Sequence, residues 1–157
     1  MLTLKQLALS CAAATFASAS LLAEPSAPAR SAAIDEIVSH ASKVRTTASE
    51  AAQHLKNRNA DFAKVKDLVS TLDQDAEALK AKVAEFEAAN TNLPERDLRE
   101  LERLRSVATI LNVFVDNKLE ILKSDDLNRQ RTLLRAKADG IVKRADMILQ
   151  SASRLKS

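Results

Sequence analysis

The stretch LRELERLRSVATILNVFVDNKLEIL, residues 98–122, decides the fold. Leu98, Leu101, Leu104, Ala108, Leu111, Val115 and Leu122 recur by steps of three, four and seven, which lays one apolar seam along a helix. Val107, Ile110, Val113 and Phe114 widen the seam beyond a third of the circumference. This helix is therefore expected to be the most buried of a bundle, covered from more than one side. Asn112, Asp116, Asn117 and Lys118 are left for a polar strip facing water. The β-branched run 107–115 would also suit a strand, but no other segment looks like its partner and both flanks are helical in type.

Downstream, Ser124-Asp125-Asp126 breaks the apolar phase and offers a cap to a further helix at about 125–156. Its seam is Leu127, Leu134, Ala138, Ile141, Ala145, Ile148, Ala152 and Leu155. Gly140 lies beside that seam and marks a close crossing or a mild kink. Upstream, Asn90-Thr91-Asn92-Leu93-Pro94 is a turn that puts proline where the first turn of a helix tolerates it, so the central helix spans about 95–123. Glu95 and Asp97 sit at its positive end. Glu95 with Arg99, and Arg96 with Glu100, are spaced to pair across one turn on a solvated face.

Two more seams precede that turn. One is Ile34, Ile37, Ala41, Val44, Ala48, Ala51 and Leu55; the other is Phe62, Val65, Val69, Leu72, Ala76, Leu79, Val83 and Phe86. Their phase is continuous, so a single helix over 31–89, roughly 85–90 Å long, is one reading, and it gives a three-helix arrangement. Asn57-Arg58-Asn59 followed by Asp61 favours a break, with helices at about 31–57 and 61–89. The break yields four helices of near-equal length. The expected fold is thus all-α, an up-down four-helix bundle with long coiled-coil-like helices. One Gly, three Pro and no Trp or Tyr in 157 residues agree, since sheet folds need more turn formers and aromatics.

The first residues have the pattern of a secretory signal peptide over 1–23. Lys5 supplies the positive end, a small and apolar run follows, and cleavage is expected after Ala19 or Ala23. Alternatives are an uncleaved membrane anchor and a lipid-attachment box ending at Cys11, though the apolar run is short for either. Cys11 is the only cysteine, so cleavage leaves a thiol-free chain without disulfides, thiolate metal sites or a Cys nucleophile. The segment 24–31, EPSAPARS, reads as a disordered spacer ahead of a helical domain at 32–157. The localisation expected is secreted or periplasmic.

Charge narrows the partners. Without Lys5 the chain has 23 Lys and Arg against 21 Asp and Glu, too near neutrality, and without aromatic interleaving, for nucleic-acid binding. Residues 61–89 carry four Lys against seven acids, and residues 124–157 carry eight Lys and Arg against four Asp. In an up-down bundle these helices are diagonal, so the complementarity is a hint of self-association.

Chemistry is sparse. The two histidines each follow a Glu by four positions, Glu36 with His40 and Glu50 with His54, about 21 Å apart on one face. Metal binding by these pairs would need ligands from a second helix, and no other helix carries a His; a one-turn ion pair is the plainer reading. Met147 opposite a His could ligate haem, but nothing supports it beyond one residue of each kind, and no cofactor is expected. No G-x-S-x-G is present, and one Gly cannot build a phosphate-cradling loop. An isolated acid such as Asp116 would need a pocket to act. The chain is expected not to be an enzyme. It reads as an exported helical bundle acting through a protein partner or self-association, in an adaptor, chaperone-like or structural role. The alternative is a bundle that opens onto a lipid surface in the manner of exchangeable apolipoproteins.

Overall fold

The computed structural model describes residues 26–157; the expected signal peptide with both cleavage sites, Cys11, and Glu24 and Pro25 of the expected spacer lie outside them. Four helices follow in order: α1 Ala27–His54, α2 Phe62–Ala89, α3 Glu95–Ile121 and α4 Leu127–Lys156. Among the described residues there is no strand. Each helix packs on two neighbours, in the cyclic order α1, α2, α3, α4, with α1 closing onto α4. The loops between them are short, and Arg30 at the start of α1 meets both Asp97 at the start of α3 and Leu155 at the end of α4, as an up-down bundle requires.

α1 begins at Ala27, so residues 27–31 are helix and not spacer. Pro28 is accommodated in the first turn, where its missing N–H has no intrahelical acceptor to lose. Arg30 then ties this turn to the bundle: its Nη2 donates to Asp97 Oδ2 at 2.6 Å and to the Leu155 carbonyl at 3.3 Å. The seam from Ile34 to Ala51 is buried throughout, as spaced.

The continuous helix over 31–89 does not form. α1 stops at His54, and Asp61 caps α2 by accepting from the backbone N–H of Ala63 at 3.0 Å and of Lys64 at 3.1 Å. Arg131 of α4 holds the turn by donating to the Asn57 carbonyl at 2.6 Å. Beneath it, Leu55, Val65, Val69, Leu122 and Leu134 form a small core cluster that a straight helix could not close. At the other end of α2, Asn90 is buried and donates its amide to the Phe86 carbonyl at 2.7 Å.

α3 departs from expectation. Its apolar band is wider than its buried seam: Leu98, Ile110 and Val113 are 43%, 42% and 51% exposed. A helix at the corner of a four-helix bundle has only two neighbours, so an apolar band wider than the seam ends in solvent. The polar strip is corrected too, because Asn112 and Lys118 are buried. Lys118 lies three residues after Val115 and four before Leu122, a seam position by its spacing.

Candidate functional site

Lys118 is the polar group most out of place in the fold. Its side chain is fully buried and its Nζ has no hydrogen-bond partner. Burial pushes its ammonium down to about 8, and the charge of Asp139 on α4 opposes that shift. At neutral pH most of it still carries a charge inside an apolar seam. Asn112, also buried, leaves its Nδ2 without an acceptor. Both residues weaken α3 where a continuous aliphatic seam would have strengthened it. The amine is sealed from solvent, so a reagent would reach it only after the helices part.

One turn from Lys118, Phe114 lies against Gly140 of α4. A Cβ on that glycine would meet the ring at 2.7 Å, so the small residue admits a close approach of the two helices. Arg144 stands 3.7 Å and Lys137 4.9 Å from the ring centroid, a pair of cation–π contacts along the groove. Arg144 also donates to the Gly140 carbonyl at 2.9 Å. Toward the end of α4, Arg154 donates to Glu100 at 2.9 Å and holds that carboxyl below its usual range. Glu100 was expected to pair with Arg96 on a solvated face; instead it is largely covered, and Arg96 donates to the Arg154 carbonyl at 3.0 Å. Glu95 does bond Arg99.

The outer surface of the α3–α4 pair is unlike the rest. Leu98, Ile110, Val113, Leu133 and Met147 are the exposed large apolar side chains among the described residues, and all five belong to these two helices. Leu133, Gly140 and Met147 are spaced by seven on α4, so Leu133 and Met147 flank the Phe114 contact about 10 Å to either side. Met147 thus sits on the surface beside α3. Among the described residues, Arg103, Lys137, Lys143 and Arg144 have no carboxylate within 4.0 Å. These two helices thus carry exposed apolar side chains and an excess of unpaired cations, beside the carboxylates of Glu102 and Asp116 on α3, which are also unpaired among the described residues.

The histidine pairs are placed apart from it. His54 Nε2 lies 3.8 Å from Glu50, and Lys64 of α2 lies 3.8 Å from the same carboxylate. Glu36 turns from His40 to Lys82 of α2 at 3.0 Å, and Glu85 and Glu36 together hold that ammonium above its ordinary value. His40 Nδ1 is buried without a partner. Among the described residues no three His, Cys, Asp or Glu side chains gather where they could hold a metal ion. Asp116 lines an open groove of about 570 Å³ with Leu119, Leu122, Lys66, Glu120 and Lys123. No described helix is long and apolar enough to cross a membrane.

Lys118 was legible in principle. The step of seven from Val115 to Leu122 passes over one intermediate seam position, and that position is the lysine. No protein-family model, characterised protein or solved structure matches the chain.

Proposed function

We propose that the protein is an exported, non-catalytic helical bundle that works by binding another protein through its α3–α4 face. The observation that carries this reading is the confinement of the exposed large apolar side chains to those two helices. An apolar patch rimmed by unpaired cations is the kind of surface that association covers. Export rests on the leader pattern at residues 1–23.

In-cell photo-crosslinking tests the reading. A photoreactive residue at Ile110 or Val113 should give discrete protein adducts, and one at Ser70 or Gln74 on the exposed side of α2 should give fewer foreign ones. Equal yields of foreign adducts from both faces, or no adducts of any kind from either, overturn it. Flotation with liposomes distinguishes the lipid alternative, because a protein that floats with the vesicles and gives no adducts is a surface binder. Sequencing the amino terminus of the processed protein checks export: the expected first residue is Ser20 or Glu24.

A further inference from the structure

We propose that the protein self-associates head to tail, the α3–α4 face of one copy receiving the α2 face of the next. This rests on the reading that the α3–α4 face is an interaction surface, and it names the partner as a second copy of the chain.

The argument is one of charge that cannot be balanced within one molecule. α4 carries eight Lys and Arg against two Asp, and α2 carries six Asp and Glu against four Lys. The two helices stand at opposite corners of the bundle, so neither can neutralise the other. Local pairs consume part of each excess. Arg129 meets Asp126, Arg135 meets Asp139, Arg154 meets Glu100 and Lys156 meets Asp35. What remains on α4 is Lys137, Lys143 and Arg144, with Arg131 bonded to the Asn57 carbonyl and to no carboxylate among the described residues, joined by Arg103 of α3. On α2, Asp67, Asp73 and Asp75 have no cation within 4.0 Å among the described residues. Glu102 and Asp116 of α3 and Lys66 of α2 are also left without an ion-pair partner among the described residues, so leftover cations outnumber leftover carboxylates on α3–α4 and leftover carboxylates outnumber cations on α2.

The apolar component is one-sided in the same sense. Ile110, Val113, Leu133 and Met147 project beside the cations, and α2 exposes no large apolar residue. Its exposed positions include Ala81, Ala84 and Ala88, small enough for bulky side chains to approach the backbone closely. Face and counterface differ, so the contact is heterologous, and each added copy leaves one free face of each kind. Association should therefore grow with concentration. It should weaken with salt, since charges on exposed faces are screened within about 10 Å at 0.1 M ionic strength. An anionic membrane would also attract cations and apolar side chains, but it would leave the carboxylates of α2 unmatched.

The test is sedimentation of the mature chain with two charge-reversal variants. In low salt the weight-average mass of the wild type should rise about twofold or more with concentration, and high salt should return it to the monomer. Lys137→Glu/Arg144→Glu should be monomeric, and so should Asp67→Lys/Asp73→Lys. An equimolar mixture of the two should associate, because the acidic α2 of the first still meets the basic α3–α4 face of the second. Should the first variant fail to fold by circular dichroism, Lys143→Glu with Arg103→Glu reverses charge on the same face without touching the Phe114 contact. A wild type monomeric at every concentration, or a mixture that stays monomeric, overturns the proposal. So does a monomer that binds vesicles of anionic phospholipid. A monomeric protein that still gives foreign adducts at Ile110 and Val113 overturns self-association alone; absence of both overturns the interaction surface as well.

Discussion

Phe114 of α3 lies so close over Gly140 of α4 that a Cβ on the glycine would sit 2.7 Å from ring atom Cε1 and 3.1 Å from Cδ1. Arg144 covers the ring 3.7 Å from its centroid and limits how far it can move away. Two effects oppose each other when Gly140 becomes Ala. The helix gains about 1 kcal/mol of propensity. Overpacking against the ring costs about 1–3 kcal/mol. Crowding should win, with Gly140→Ala destabilising by about 1 kcal/mol. In a Phe114→Ala background the same substitution should stabilise by up to about 1 kcal/mol. Urea unfolding of the four proteins reads this change of sign, and equal effects in both backgrounds would refute the contact.

Replacing Lys118 by Met should stabilise the bundle. The folded-state value is about 8 against 10.5 for the free side chain, a difference of roughly 3 kcal/mol at neutral pH. The folded pKa is the lower one, so between about 8 and 10.5 the unfolded chain holds the proton and the folded chain does not. Stability should rise with pH across that window. Above it the penalty is gone, and below about 8 it is present in full. Lys118→Met should unfold at higher urea at pH 7, by about 2–3 kcal/mol, and the gap to wild type should narrow as pH rises through the window. A gap independent of pH would mean the lysine reaches water in solution.

Asp61 decides where α2 begins. Its carboxylate accepts from two backbone N–H groups, and Asp61→Ala should cost about 1 kcal/mol. Asp61→Asn should cost less, because the amide oxygen still caps. Amide hydrogen exchange at Ala63 and Lys64 should quicken in the alanine variant; unchanged exchange there would remove Asp61 from this role.

Arg30 and Asp97 close the opposite end. Their side chains are 25% and 16% exposed, enough shielding for the 2.6 Å bond to contribute about 1 kcal/mol. Asp97→Asn should loosen the first turn of α1, with faster exchange over residues 29–33 and a loss that shrinks in high salt. A first turn as protected as in the wild type would show that Pro28 and local packing hold it without the pair.

The seams of α1, α2 and α4 were legible because burial in a bundle follows the helical repeat, and Ile34, Val44, Leu72, Leu79, Ile141 and Ile148 are buried where their spacing places them. The separation of α1 from α2 was legible in Asn57, Asn59 and Asp61. α3 was misjudged in two ways. Counting aliphatic residues took Ile110 and Val113 inward, and pairing Val115 with Leu122 across seven positions left Lys118 outside.

Periodicity, turn residues and caps are local properties, and by themselves they set the helical class of the fold and the places where the chain turns, though not the start of α1 at Ala27. Only packing decided which side of α3 is covered, that Lys118 and Asn112 are enclosed, and that Phe114 meets Gly140. The reason is geometric: a repeat specifies the direction of a side chain from its own axis, but whether that direction holds protein or water depends on where the two neighbouring helices stand.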